Sequence, residues 1–378
     1  MVKRFLICLL LVAMVLLLGG CWNYKGLDQL NIVLGIAVDF DKEANQFNIT
    51  YEVADQASAG KNTMIKSRIV KSQGKTLLDA ARNAKRKEAD KLFFGSTNIL
   101  VLSRDIALEM GIQPVIDWFL RDGECRETMH VALSQEDTAE AILQRSGQMS
   151  GIVSINLHDI LRKDRSIVAS TRNVKLYELY DLLELRNSAV LPAIHKAEEN
   201  ADQQIAELNG IAILQGDRLK GFLTPDESKY LLFLENIIKS GVLTLSAKSE
   251  KTDDISLEIF DNKTKKSFAY NQDKIVVKFE TRTHVVIDEN HSKLDMMDPE
   301  VIKQIEKAGE EMLEKNLRDL ISKIQHEFQT DIFGFGEMIH KKDLKLWKQL
   351  EPSWKEIYPT LEVDVKSKLI IRDSAFIK

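Results

Sequence analysis

The chain of 378 residues is long for a single core, and its 44% hydrophobic and 29% charged residues are typical of a globular protein with more than one domain. Its 52 lysines and arginines stand against 57 aspartates and glutamates, which gives a formal net charge of −5 at pH 7. A chain without a basic excess is not expected to bind nucleic acid.

The first residues carry the pattern of an export signal. Two basic residues are followed by the unbroken apolar run Phe5–Leu18, by two glycines and by Cys21. This order is typical of a secretory signal, because a spanning helix needs about 20 apolar residues. A cysteine directly after small residues predicts a bacterial lipoprotein signal, so that residues 1–20 are removed and Cys21 carries lipid as the new N-terminus. A plain signal peptide with a chance cysteine and an uncleaved anchor stay open as alternatives.

The remaining sequence predicts a globular body without a disulfide and without a second membrane span. No later window holds about 18 uninterrupted apolar residues. Of the three cysteines, Cys8 leaves with the signal and Cys21 is lipidated, so Cys125 has no partner for a disulfide. A semi-buried loop thiol is favoured for Cys125 over a reactive one.

Strand-period alternation begins soon after the predicted lipid. Apolar residues alternate along 32–40 and again along 47–53, which predicts a hairpin. The segment Trp22–Leu30 reaches at most about 30 Å and has no Gly/Ser-rich spacer, so we expect the body to lie close to the bilayer. Trp22 and Tyr24 suit an interfacial position.

A helix is predicted over about 76–89, where Thr76 and Asp79 resemble a capping pair. Its apolar stripe leaves a second side that is basic, at Arg82, Lys85, Arg86 and Lys87. A solvated face is the default for such a run, and contact with a phosphate or a headgroup is the alternative.

The rest of the chain interleaves strands and helices. Strands are predicted at 98–102, 129–133, 205–214, 218–222, 242–247, 256–260, 274–287, 361–365 and 368–371. Helices are predicted at 105–110, 114–121, 138–144, 174–185, 299–329 and 340–350, and one more starts at Thr224. The expected fold class is therefore α+β, or mixed α/β, with several domains and mixed sheets each packed with helices.

A charged and polar segment, Lys196–Gln204, has little to bury and predicts a domain boundary. We expect a lipoprotein signal over 1–20, an N-terminal mixed α/β region over 21–200 with two subdomains, and a C-terminal mixed α/β domain over 201–378. The long helix at about 299–329 belongs to the C-terminal domain.

No catalytic, metal-binding or cofactor-binding set stands out. The seven histidines show no ligand spacing, and no carboxylate pair is marked as acid and base. Gly334 and Gly336 lack the preceding strand and third glycine of a dinucleotide-binding loop. We expect them to end the long helix, with glycine at C′. We therefore expect no catalytic, metal-binding or cofactor-binding residues, and the one predicted site is the lipidation site Cys21.

Several segments together resemble one family. They are, in chain order, Cys21-Trp22-Asn23, Leu34-Gly35-Ile36-Ala37-Val38-Asp39, Gly74-Lys75-Thr76-Leu77, Phe94-Gly95, Phe119-Leu120-Arg121-Asp122, Leu219-Lys220-Gly221-Phe222-Leu223-Thr224, Asp331-Ile332-Phe333-Gly334-Phe335-Gly336, Leu346-Trp347 and Trp354. The order and content are similar to the Ger(x)C family, the C subunits of spore germinant receptors. Asn23 and Ser96 depart from the family's usual Asp and His.

The resemblance implies a lipid-anchored subunit on the outer face of the spore inner membrane, without catalytic residues and built from three mixed α/β domains. It also implies two partners, an A subunit with membrane helices and a B subunit that resembles amino-acid transporters. The nutrient, and whether this subunit contacts it, are not given by the resemblance. The alternatives from other classes are an extracytoplasmic solute-binding lipoprotein and an envelope hydrolase.

Overall fold

The structure is a computed structural model that describes residues 3–6, 26, 29–55, 66–144, 151–200, 203–246, 254–271, 274–292 and 294–373. The strands in these residues are β1 (Leu30–Asp41), β2 (Gln46–Asp55), β3 (Lys66–Gly74), β4 (Lys91–Phe93), β5 (Ile99–Leu102), β6 (His130–Ser134), β7 (Ser188–Asn200), β8 (Gln203–Gln215), β9 (Arg218–Leu223), β10 (Val242–Ser246), β11 (Asp254–Asn271), β12 (Lys274–Asn290) and β13 (Glu362–Asp373). The helices are α1 (Leu77–Asn83), α2 (Gln113–Arg121), α3 (Glu140–Leu143), α4 (Val153–Lys163), α5 (Leu176–Arg186), α6 (Pro225–Leu234), α7 (Pro299–Lys323), α8 (Phe335–Lys342), α9 (Leu344–Leu350) and α10 (Trp354–Ile357).

Both sheets formed by the described strands mix parallel and antiparallel pairs. The first has nine strands in the order β3-β2-β1-β5-β6-β7-β8-β9, with β4 paired to the start of β1. Its centre, from β1 through β5 and β6 to β7, is parallel, and its flanks are antiparallel hairpins. The second sheet has four strands in the order β10-β11-β12-β13, and only its β12–β13 pair is parallel. The predicted α+β class with helix-packed mixed sheets is confirmed.

The central strands of the first sheet are buried on both faces. Ile36 and Val38 of β1 pack with α1 and α2 residues in one cluster, whereas Ala37 packs against α3 and α4 in another. Parallel strands covered on both sides read as continuous apolar runs, as β5 does at Ile99–Leu102. A third cluster lies between β7–β9, the helices α6 and α7, and the inner face of the second sheet.

Local capping signals set several helix starts as predicted. The Thr76 hydroxyl accepts a hydrogen bond from the Asp79 N–H at 3.1 Å. Thr224 and Glu227 form a reciprocal capping box at the start of α6, and Asp298 caps α7. These pairs lie within four residues of each other, so the sequence alone identifies them.

The outer edge of β13 is covered by carboxylates of α7. Glutamates spaced four residues apart on the helix accept backbone N–H groups spaced two residues apart on the strand. The pairs are Glu306 with Ile371 at 3.0 Å, Glu310 with Leu369 at 3.3 Å, and Glu314 with Ser367 at 3.1 Å. A helix rises about 6 Å in four residues and a strand about 6.6 Å in two, so the two spacings match over this length.

The C-terminal end of the long helix differs from the expectation. The α-helix ends at Lys323, a π-turn covers Ile324–Phe328, and Gln329 adopts the left-handed conformation with φ 50°. Gly334, predicted at C′ of this helix, instead has φ 67° as the N-cap of α8. The prediction of its role was wrong, although its left-handed geometry is the one that favours glycine.

Other elements differ in extent. Strand β3 and helix α4 were not predicted, and the predicted helix 340–350 is divided by Asp343, whose side chain caps α9 through the Leu346 N–H at 3.0 Å. The predicted boundary segment lies at the β7–β8 hairpin, where Lys196 pairs with Ala206. The first sheet therefore continues beyond residue 200, and the division into domains stays a prediction.

Candidate functional site

The predicted lipidation site, Cys21, lies outside the described residues, as do Trp22 and Tyr24. What is described is the place where the chain reaches the body, at the start of β1. There Leu30 is in register with Lys91 of β4, the strand that follows α1 and its turn. None of the described helices has both the length and the apolar composition needed to cross a bilayer.

A partly buried ion pair links the start of β1 to the segment after α1. Arg68 of β3 donates to both carboxylate oxygens of Glu88, each at 2.6 Å, and to the Asn31 Oδ1 at 3.0 Å. Asn31 in turn donates to Glu88 at 2.9 Å. Such a bidentate arginine–carboxylate pair is geometrically specific, so the end of the α1 segment is held beside the first residues of β1.

Helix α1 and its 3-10 turn, Ala84–Arg86, show the predicted two sides. Leu77, Ala80 and Ala84 are buried against β2 and β3, and the basic side chains are exposed. The Lys87 Nζ donates to the Lys71 carbonyl at 2.8 Å. Arg82, Lys85 and Arg86 have no salt bridge within the part of the chain that the structure describes.

The buried carboxylates are acceptors for the starts of helices and turns. Asp39 of β1 accepts the N–H groups of Ala139 at 2.6 Å and Glu140 at 3.0 Å, which begin α3. Burial raises the pKa of Asp39 to about 6, although these two hydrogen bonds oppose the rise. Asp164 similarly accepts from Ser170 and Thr171, and burial raises its pKa.

Glu52 is the corresponding acceptor for α4. Its carboxylate, fully buried on β2, accepts the N–H groups of Val153 at 3.0 Å and Ser154 at 2.8 Å, and the hydroxyls of Ser154 and Ser67. A cavity of about 290 Å³ lies beside it, lined by Glu52, Ser67, Ile69, Leu143 and Gln144. This volume is at the lower limit for a small-molecule site. Sequence reasoning missed Asp39 and Glu52 as helix acceptors; the signal was a carboxylate within an apolar strand.

Two histidines that are distant in sequence, His130 and His158, lie in contact at the start of β6. The ring centroids of His130 and His158 are 4.7 Å apart, and the Nδ1 atoms of both are buried without a hydrogen-bond partner among the described residues. Burial, and then His158, lower the pKa of His130 to about 4. No set of three or more His, Cys, Asp or Glu side chains in the described ranges is placed to hold a metal ion.

Cys125 is a half-buried thiol that packs beside the apolar cluster of β1, α1 and α2. Burial, then Asp122 and Glu124, raise its pKa to about 12. Because the thiolate is the nucleophile, a thiol that stays protonated at neutral pH is a poor one. The structural interpretation of Cys125 is therefore supported.

The segment Asp331–Gly336 joins the two halves of the chain. The Asp331 carboxylate accepts the N–H groups of Phe335 at 2.9 Å and Gly336 at 2.8 Å. A Cβ on Gly336 would lie 2.7 Å from the Trp347 ring, so only glycine fits there without displacement. Arg186 of α5 bonds Glu337 of α8 at 2.7 Å across the junction. These contacts give the segment a structural role.

Comparisons with known proteins cover nearly the whole chain. Two sequence profiles match in order: a spore germination protein N-terminal domain over residues 23–196 and the spore germination B3/GerAC-like C-terminal region over residues 209–375. Spore germination protein KC of Bacillus subtilis is 25% identical over 399 residues, which cover 98% of this chain and 96% of that protein. Spore germination protein B3 of the same organism is 22% identical over 371 residues, with 94% and 95% covered.

A solved structure is similar in fold. The crystal structure of the GerBC protein matches with a TM-score of 0.60 at 18% identity, covering 89% of this chain and 97% of that one. At this identity the likeness establishes the fold alone.

Proposed function

The chain belongs to the spore germination B3/GerAC-like family, the Ger(x)C family, and from this premise we propose that it is the lipid-anchored C subunit of a nutrient germinant receptor, needed for spore germination. The observation that carries the proposal is the ordered match of both family regions, over residues 23–196 and 209–375. A match that keeps its order over nearly the full length is more specific than any one motif.

In this proposal the mature chain begins at Cys21, whose thiol carries a diacylglycerol as a thioether. The anchored body lies on the outer face of the spore inner membrane. Two acyl chains suffice for stable attachment, because each buried methylene contributes about 0.8 kcal/mol. The partners are the A and B membrane subunits of the receptor, and anchoring raises the effective concentration of the body near them.

The proposed role is binding rather than catalysis. The buried carboxylates Asp39, Glu52 and Asp164 are occupied by N–H and hydroxyl donors, so their oxygens serve helix and turn starts. The thiol of Cys125 is held protonated by burial. The structural roles of these three carboxylates and of the Cys125 thiol account for their burial without an active site.

The test compares two cysteine substitutions in spores. Cys21→Ala should abolish or strongly weaken germination triggered through this receptor, and the protein should lose its diacylglycerol in an intact-mass measurement. Cys125→Ala is the matched control, and it should keep both the lipid mass and germination. Normal germination with the unlipidated Cys21→Ala protein would contradict the need for an anchor.

A solute-binding lipoprotein is the second candidate, favoured by the 290 Å³ cavity beside Glu52. Calorimetry on the purified mature chain with single nutrients tests it. Tight binding of one nutrient by the isolated chain would support direct solute recognition. Binding seen only with the membrane subunits present would support the receptor subunit.

A further inference from the structure

The start of β1 limits how far the body can lie from a lipid at Cys21. The nine residues that follow Cys21, Trp22–Leu30, span at most about 30 Å when fully extended. The surface around Leu30 is therefore the part of the described body closest in chain length to the bilayer. A bilayer contact at this surface therefore depends on the proposed anchor at Cys21.

Helix α1 lies at that surface. The segment after its 3-10 turn carries Glu88, which is hydrogen-bonded to Asn31 at 2.9 Å, and continues into β4, where Lys91 is in register with Leu30. Only one residue separates Arg86, the last residue of the turn, from Glu88. The basic end of α1 is thus held beside the first residues of β1.

The outward face of α1 combines an exposed leucine with cations. Leu78, Arg82 and Lys85 have the spacing i, i+4 and i+7, which places them on one side of a helix, and Arg86 lies next to them. Leu78 is 47% exposed, although leucine is usually buried. The opposite side holds the buried Leu77, with Ala80 and Ala84.

This grouping brings three exposed cations together. Arg82 lies in α1, and Lys85 and Arg86 follow it in the 3-10 turn. No acidic side chain forms a salt bridge with Arg82, Lys85 or Arg86 within the described residues, although the whole chain carries a net charge of −5. An anionic bilayer surface offers phosphates to such cations and an apolar boundary to the exposed leucine.

We propose that the face formed by Leu78, Arg82, Lys85 and Arg86 contacts the bilayer, with Leu78 inserted among the headgroups and the three cations on anionic phospholipid. The anchor brings this face to the surface, and the contact sets the orientation of the body. The remaining surfaces then face the membrane partners or the aqueous side in a fixed way.

Vesicle binding by an unacylated chain tests the electrostatic part. The mature chain with Cys21→Ser is mixed with vesicles of phosphatidylcholine alone or with 30% phosphatidylglycerol, and bound protein is measured by sedimentation. Each cation at an anionic surface contributes about a fivefold factor, so Arg82→Gln/Lys85→Gln/Arg86→Gln should weaken binding to the anionic vesicles about 100-fold.

The matched control removes three cations elsewhere. Lys263→Gln/Lys265→Gln/Arg282→Gln changes three exposed residues on the open face of the second sheet, which also have no salt bridge in the described ranges. It should weaken vesicle binding by less than about fivefold, the factor for one surface cation. A larger loss with the control than with the α1 variant would overturn the proposal.

A fluorophore at residue 78 tests the insertion without removing any charge. An environment-sensitive dye on Leu78→Cys should brighten on anionic vesicles, whereas the same dye on Leu344→Cys, at an equally exposed leucine in α9, should not. Cys125 is half-buried and its pKa is raised to about 12, so we expect it to react slowly at pH 7, and the dye bound by the chain without an added cysteine is the blank. Equal responses at both positions, or no preference for anionic vesicles, would overturn the proposal and leave the face to an acidic protein.

Failure of the proposed anchor and failure of the proposed α1 contact give different results. An unmodified Cys21 in the native protein would refute the anchor, and it would not affect vesicle binding by the unacylated chain. Loss of the vesicle result with an intact lipid at Cys21 would refute only the contact proposed for α1.

Discussion

Protonation of His130 should destabilise the protein as the pH falls. His130 is 3% exposed, and its ring lies 4.7 Å from that of His158. The charged Lys175 also disfavours a second positive charge there, while Glu178 opposes this effect. Burial is the largest cause, and the pKa of His130 falls to about 4 from the ordinary 6.5.

Proton linkage gives the direction and the size of this change in unfolding free energy. Below pH 6.5 the His130 ring is protonated in the unfolded state, whereas in the folded state it stays neutral down to about pH 4. The stability associated with neutral His130 is therefore present at neutral pH and is lost between these values. With the two pKa values, the loss from pH 7 to pH 4 is about 3 kcal/mol.

Comparison of two proteins isolates this contribution from that of all other groups. Urea unfolding of the mature chain and of its His130→Asn variant is followed by circular dichroism at pH 7, 6, 5 and 4. The variant lacks the titrating ring, so the difference in unfolding free energy should shift by about 3 kcal/mol in its favour at pH 4. A shift below about 1 kcal/mol would show that His130 accepts its proton in the folded state.

Two further predictions concern Asp39 and Gly336. Asp39 has its pKa raised to about 6, so its ionisation opposes folding at pH 7 and this cost fades as the pH falls toward 4. Relative to Asp39→Asn, the wild-type chain should gain about 2 kcal/mol of unfolding free energy from pH 7 to 4 in the same urea series; a pH-independent difference would contradict this. Gly336→Ala, whose Cβ would lie 2.7 Å from Trp347, should cost about 1–3 kcal/mol of stability. Gly123→Ala is its control in thermal melting, because a Cβ there would meet no atom of the described residues within 4 Å, and equal melting temperatures for the two variants would refute the clash.

The predictable elements were those whose signals lie close together in sequence. The capping pair Thr76–Asp79 and the Thr224 box fix helix starts within one turn, so α1 and α6 start where they were expected. The predicted end of α1, at about residue 89, was wrong, because the α-helix ends at Asn83 and the 3-10 turn at Arg86. Helix α4 was missed because its first N–H groups bind Glu52, about a hundred residues earlier, and Ile152 provides no side-chain cap. Only the folded chain brings that acceptor to the helix.

Long-range pairing also explains the missed strand length. Strand β11 extends from Asp254 to Asn271 through the lysine-rich stretch 263–266, which has no apolar alternation of its own. It is extended because β12 pairs with it along its length. In the same way the basic side of α1 was visible in the sequence, whereas its place beside β1 depends on the bond between Asn31 and Glu88, 57 residues apart.

The glutamates of α7 that accept N–H groups along the outer edge of β13 protect this edge of the second sheet from pairing with another chain. An edge strand with free N–H and C=O groups can pair with a neighbour's extended segment and so propagate fibres. Here the donor groups of Ser367, Leu369 and Ile371 are already engaged within the same molecule. An approaching extended segment therefore finds no free N–H at these three positions with which to continue the sheet.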